Sequence, residues 1–283
     1  MPSSTPDLKK SSLDIDHFIQ GNLALPSLPE VVMRAYEILR DPHACAADVG
    51  QVISEDAALT LRLLKIVNSP YYGYPSRIHT VSRAVTVIGS VELLDMLLAT
   101  TVIKLFAGIP KTALNMEQFW HHSLYCGAIA KAIALAKNDH RPEQYFVGGL
   151  LHDIGRLVIV QKNANAQVQA IAIAQQENIS LTEAEEKVLG FSHAAVGGAL
   201  SRKWKLPTAL GIAMEFHHNP WAAKEHKEQA YATYLANILA SPLELSLQTD
   251  DLWSPLGVGP EIQVEVLAKA ERFFEEAKSL LEN

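Results

Sequence analysis

Apolar residues recur along most of the chain at intervals of three and four, the spacing of one face of an α-helix. No segment alternates with the period of two expected of a half-buried strand. In SLPEVVMRAYEILR (27–40) the inward face is Val31, Val32, Ala35, Ile38 and Leu39. Ser27 is placed to cap this helix, with Glu30 reaching back and Pro29 in the first turn. DAALTLRLLKIVN (56–68) repeats the pattern, with Asp56 as N-cap and Leu59, Leu63, Ile66 and Val67 inward. Asn68-Ser69-Pro70 stops it as a turn. TVSRAVTVIGSVELLDMLLATTVIKLF (80–106) predicts two helices broken near Gly89-Ser90, with Ser90 capping the second. KTALN (111–115) is a short polar break. Beyond it the pattern predicts helices near 115–138, 142–161, 164–177, 181–189, 193–204, 208–218, 225–241 and 260–281, with a capping box at Ser180 and Glu183. The expectation is an all-α chain: a mobile Ser/Pro/Lys-rich tail over 1–12, an N-terminal helical lobe over 13–113 and a C-terminal helical lobe over 114–283.

Composition adds exclusions. The 283 residues are 48% hydrophobic and 19% charged, an ordinary globular balance. A net charge of -7 argues against broad nucleic-acid binding, which relies on cationic side chains. Two cysteines, Cys45 and Cys126, make no disulfide framework and suit a reducing compartment. The N-terminus lacks an apolar signal core, and no run of about 18 apolar residues predicts a membrane span. Together these predict a cytoplasmic location.

Several polar residues interrupt faces that should be apolar. His122 lies in FWHHSLYCGAIAKAIA, His152 and Asp153 in GGLLHDIGRL, His193 after Ser192 in FSHAAVGGAL, His217 and His218 at the end of AMEFHHNP, and Asn237 in YATYLANILA. A lone histidine on such a face is more often a hydrogen-bonded core residue than a ligand. The ordered set is a different matter: imidazoles and a carboxylate from several helices can converge on a borderline divalent metal, as in helical bundles whose centres are built from inward side chains. Neighbours such as His152 and Asp153 point about 100° apart on a helix, so both reach one ion only near a helix end or a crevice. His121 is read as a core or exposed residue. His17, His43, His79, His140 and His226 stand in polar or turn-like contexts and are assigned nothing.

With these residues in view, the chain resembles the HDOD family, an output-domain branch of the HD superfamily of metal-dependent phosphohydrolases. LPSLPEVV and the segment from Ile53 to Leu98, with its Asn68-Ser69-Pro70-Tyr71-Tyr72-Gly73 turn and Ala84…Ile88-Gly89 stretch, carry the N-terminal resemblance. LLHDIGRL, SHAAVGGALSRKWKLP and His217-His218 carry the HD-like one, and the whole covers about residues 20–240. The resemblance implies a two-lobed, all-helical fold with an HD-like core in the C-terminal lobe, and a signalling or regulatory role. It implies metal ligation by His122, His152, Asp153, His193, His217 and His218, with Asn237 standing where catalytic relatives carry a second aspartate. HHNPWAA departs from the Gly-Tyr-Pro signature of the cyclic-dinucleotide phosphodiesterase branch.

An amide oxygen can coordinate but cannot neutralise, so the expectation is at most one tightly held ion of Fe, Ni, Zn or Mn, at or below one equivalent, with any second ion weak. The favoured reading is a regulatory module with a degenerate, metal-binding HD site and little or no catalysis. Its partners would be signalling proteins or a small phosphorylated ligand, and self-association is compatible with the sequence. The alternative is a metal-dependent phosphohydrolase of a nucleotide or phosphoester, with Asp153 and Arg156 as catalytic candidates and Arg202 or Lys203 as further phosphate-holding cations. A third reading would stack bases on Tyr71, Tyr72 and Tyr74 among Arg62, Lys65, Arg77 and Arg83, a set that more simply forms a charged rim around a core turn.

Overall fold

The structure, a computed structural model, describes residues 15–20, 25–109, 114–241, 252–257 and 259–278. The tail expected over 1–12 and most of the break at 111–115 lie outside these residues. Every regular element among the described residues is helical. The principal helices are α1 (Glu30–Leu39), α2 (Ala46–Ser54), α3 (Ala57–Val67), α4 (Val81–Ile88), α5 (Ser90–Leu105), α6 (Met116–Ala136), α7 (Pro142–Leu151), α8 (Ile154–Glu177), α9 (Leu181–Leu189), α10 (His193–Lys203), α11 (Thr208–Phe216), α12 (Lys227–Ala240) and α13 (Pro260–Ala277).

Helices α1–α5 pack on one another, and α6 is the hub against which α7, α12 and α13 lie. The two groups share one continuous core, joined where α5 crosses α7. Helix α5 is buried on all sides, from Leu93 through Val102, as an apolar-all-round sequence requires. The SPYYGY turn docks on the second group through Tyr71. Its hydroxyl donates to Glu143 Oε2 at 2.5 Å and accepts from Lys131 Nζ at 2.9 Å, and Lys131 closes the triangle on Glu143 Oε1 at 2.7 Å. All three side chains are buried. This occupies Tyr71, and Arg62 donates to Thr101 Oγ1 at 3.0 Å, so neither offers a base-stacking surface.

Local signals worked where the backbone needed them. Asp56 accepts from Ala58 N and Leu59 N at 2.8 and 3.0 Å, and the Ser180–Glu183 box is formed. Two expected caps are corrected. Helix α1 begins after Pro29, whose extended backbone (ψ 136) precedes the helix, and Ser27 caps nothing. At the α4–α5 joint Gly89, not Ser90, is the cap, because the chain turns there at φ +99, a conformation that glycine tolerates. The helix expected over 142–161 is interrupted at His152-Asp153, and the pause expected near 162–163 is instead a kink at Asn163 inside α8. No single helix among the described residues is long and apolar enough to cross a membrane. The bent pair α4–α5, which turns by 113°, places most of its apolar residues in the core, with Val91 exposed.

Candidate metal centre

Helix ends build the site. His152 is the C-terminal cap of α7, Asp153 precedes α8, His193 is the first residue of α10, and His217 is the C-terminal cap of α11, followed by His218. At these ends the backbone has carbonyls without helical partners. His152 Nδ1 donates to Gly149 O at 2.7 Å and His217 Nδ1 to Met214 O at 2.8 Å. A carbonyl can only accept, so each neutral ring carries its proton on Nδ1 and aims the lone pair of Nε2 inward. His193 is fixed from its other side. Its Nδ1 and its backbone N both donate to Glu185 Oε2, at 2.6 and 2.7 Å. A carboxylate behind an imidazole in this way orients the ring and raises its basicity as a ligand.

Four donor atoms converge from Asp153, His193, His217 and His218. His193 Nε2 lies 3.1 Å from Asp153 Oδ1, 3.3 Å from His217 Nε2 and 3.0 Å from His218 Nε2, and His217 Nε2 lies 3.4 Å from Asp153 Oδ1. A tetrahedral ion with bonds of about 2.0–2.1 Å to nitrogen and oxygen has donor–donor edges of about 3.3–3.4 Å. The donor set therefore fits a borderline divalent transition metal, in both chemistry and spacing. Asp153 is held in place by Arg156, whose Nη1 donates to Oδ2 at 2.9 Å. Asp153, His193 and His217 are buried and His218 is exposed.

Electrostatics agree with this arrangement. Burial pushes His152 down to about 3, and it also lowers His217. Asp153 stays well below the usual carboxylate range: burial opposes this, but His152, Arg156 and His193 outweigh it. His193 is the exception. Burial alone would lower it, yet the carboxylates of Glu185 and Asp153 raise it to about 9.

A second group adjoins the first: His122, Cys126 and His152, with Asn237 beside them. His122 Nε2 lies 3.0 Å from Asn237 Oδ1 and 3.5 Å from Cys126 Sγ. The rings of His122 and His152 are 5.4 Å apart, centroid to centroid. His152 Nε2 is buried and has no hydrogen-bond partner. The structure thus gathers every candidate ligand read from the sequence into one region, with Arg156 at its edge. Arg202 and Lys203 lie elsewhere: Arg202 pairs with Glu215, and Lys203 reaches Ile19 O. His121 is exposed and packs its ring against Phe274.

Sequence reasoning missed Glu185 and Cys126. Glu185 sits among Glu183 and Glu186 and reads as one more solvated acid. Cys126 carried a usable signal, since it follows His122 by four residues and so shares its helix face.

Comparison with known proteins agrees with this architecture. The HDOD domain family matches residues 25–220. An uncharacterized protein of Treponema pallidum is 27% identical over 216 residues, 76% of this chain, and the chain spans 42% of that relative's length. The crystal structure of an HDOD domain protein of unknown function from Geobacter sulfurreducens superposes with a TM-score of 0.69 at 26% identity, over 96% of this chain and 95% of that one. A candidate signal-transduction protein from Marinobacter aquaeolei superposes with a TM-score of 0.75 at 18% identity, over 97% of this chain and 66% of its own, a likeness of fold. With the match running through both helical groups and across the histidine-rich centre, the chain belongs to the HDOD family.

Proposed function

We propose that this chain is a regulatory, signal-transduction module in which the HD-type centre holds a divalent transition-metal ion and performs little or no catalysis. One observation carries the reading: the donor atoms of Asp153, His193, His217 and His218 converge within 4.8 Å of one another, with His193 Nε2 3.0–3.3 Å from the other three. Structural sites are closed by four protein ligands, whereas a catalytic ion keeps a position for water. A hydrolase of this kind depends on metal-activated water as its nucleophile. Asp153 is a ligand in this reading, and Arg156 holds it in place; the guanidinium points its hydrogen bond at Asp153 and not at a substrate. Asn237 contributes no charge, so a second ion is held more weakly than the first.

The ion, one of Fe, Ni, Zn or Mn, pins α7, α8, α10 and α11 together at their ends. The helices before residue 114 form the surface for a signalling protein, in the cytoplasm. Elemental analysis of protein purified without chelator tests the reading: up to about one equivalent of a first-row transition metal is expected, lost in His217→Ala and in His152→Ala with Asp153→Ala. Generic phosphodiesters and nucleotides should turn over little in the loaded protein. Robust hydrolysis abolished by His152→Ala would overturn the regulatory reading in favour of a metal-dependent phosphohydrolase, and absence of transition metal after reconstitution would leave a polar core.

A further inference from the structure

The metal centre makes no use of a charge asymmetry in the N-terminal group of helices. Between Asp56 and Glu92 the chain carries Arg62, Lys65, Arg77 and Arg83 and no carboxylate, although its net charge is -7. The fold gathers part of this stretch around a cleft of about 430 Å³ between α3 and the loop before α4. Leu61, Leu64 and Ile78 give the cleft an apolar lining, and Lys65, Arg77 and His79 give it a basic one. Leu61 is 68% exposed, so its side chain is open to a partner. Asn68 makes the cleft rigid. Its Nδ2 donates to Leu64 O at 2.6 Å and to Ile78 O at 2.8 Å, and its Oδ1 accepts from Ile78 N at 2.8 Å. The loop is thereby tied to the end of α3, and a ligand meets a surface that needs little ordering. Beyond the cleft the positive field continues onto α5, where burial, then repulsion from Arg62 and Lys65, lowers the pKa of Lys104. Asp56 opposes this at Arg62, but its carboxylate is engaged by the backbone of α3 at Ala58 and Leu59.

We infer that this cleft is the docking site for an acidic segment of a signalling protein, anchored by an apolar side chain against Leu61 and Leu64 and held by Lys65 and Arg77. The inference rests on the reading of the helices before residue 114 as a signalling surface, and it names the chemistry of the partner. A cleft with an apolar lining and a rim of one charge sign selects a ligand of the opposite sign that carries an apolar anchor. The basic groups are spread over α3, α5 and the loop before α4, an arrangement suited to an extended acidic segment more than to a single phosphate group. Nucleic acid fits less well. A chain of net charge -7 repels a phosphate backbone, and Tyr71 is held in its buried triangle with Lys131 and Glu143 and leaves no ring for a base.

Fluorescence anisotropy with the full-length protein is the test, and the probe is a short labelled peptide of acidic residues interspersed with leucine. The wild type should bind this peptide, bind it more weakly as salt is raised, and not bind the same peptide with Gln and Asn in place of Glu and Asp. Lys65→Glu/Arg77→Glu should weaken binding about 10-fold or more, since two exposed charge pairs are lost and replaced by repulsion. Lys224→Glu/Lys227→Glu, which makes the same change in net charge at exposed positions at and before the start of α12, should bind as the wild type does. No preference for the acidic peptide at low salt would overturn the inference, as would equal weakening in the two double variants. Stronger binding of a single-stranded oligonucleotide at the same residues would overturn it in favour of nucleic acid. Self-association abolished by Lys65→Glu/Arg77→Glu, with no peptide binding, would overturn it in favour of a second copy of the chain. Salt dependence and peptide preference are read on the wild type, so a folding defect in a variant leaves the test decisive. Turnover is measured on the same samples: robust hydrolysis would overturn the regulatory reading whatever the peptide does, and failure of peptide binding leaves that reading in place.

Discussion

Replacing Gly155 with alanine should open the proposed metal centre from behind. Gly155 is the second residue of α8, two positions after Asp153, and its backbone lies against the start of α10. A Cβ there would stand 2.0 Å from His193 O, 2.8 Å from Gly197 N and 2.9 Å from the His193 carbonyl carbon. These are backbone atoms, so no side-chain rotation relieves them. Restoring an ordinary contact near 3.4 Å needs about 1.4 Å of separation between α8 and α10. His193 opens α10 and Asp153 precedes α8, so that displacement acts on the 3.1 Å gap between their donor atoms. It is more than half of a metal–nitrogen bond of about 2.0–2.1 Å. The ion should lose a donor and bind about 10- to 100-fold more weakly, or about 1.4–2.8 kcal/mol. Overpacking should cost about 1–3 kcal/mol even without metal. The melting temperature should therefore fall with metal present and fall less in excess chelator, and competition against a chromophoric chelator would give the affinity. Gly197→Ala is the control from the same interface: its Cβ would meet Met214 Cβ at 3.4 Å, and alanine suits a helix interior. Wild-type metal affinity and melting temperature in Gly155→Ala would refute the reasoning, as would equal losses in both variants.

Other consequences are nearer to single measurements. Asp95, buried and accepting from Tyr36 OH at 2.8 Å, is raised by burial to about 7, against about 3.9 in an unfolded chain. Its folded form favours the proton, so its contribution to stability is fully present below about pH 4 and lost as pH rises to about 7, at most about 4 kcal/mol. Asp95→Asn should therefore gain on wild type in denaturant melts between pH 5 and pH 8, and a difference independent of pH would remove this account. Lys131→Met should cost about 3–5 kcal/mol by leaving Glu143 buried beside Tyr71, and the double variant Lys131→Met/Glu143→Gln should recover part of it. Equal stability of the single and double variants would show that the triangle is not coupled. Chelation of wild type should lower its melting temperature, because a ligand bound only by the native state adds stability. His217→Ala should be insensitive to chelator, and equal sensitivity in the two would place the ion elsewhere.

The chain's helical character was legible where a helix buries one stripe and shows it as periodicity, as α1 and α3 do. The break at His152-Asp153 was not. Leu150, Leu151, Ile154 and Leu157 are all buried, so the apolar pattern runs unbroken across the joint. What ends α7 is tertiary: His152 takes the Gly149 carbonyl with Nδ1, and Asp153 turns towards α10 and α11. The same device recurs at His217, with Met214 in place of Gly149. In both, a helix end supplies the unsatisfied carbonyl that fixes the tautomer, and the fixed tautomer aims Nε2 at the centre. The ordered set of histidines could thus be read along the chain, whereas their common target depends on close backbone approaches such as that at Gly155. Glu185 shows the limit most clearly. Nothing in LTEAEEKVL separates it from its acidic neighbours, yet it is fully buried and holds His193 by ring and backbone together. A ligand leaves its type in the sequence, while the residue that orients the ligand is recognisable only by what lies behind it.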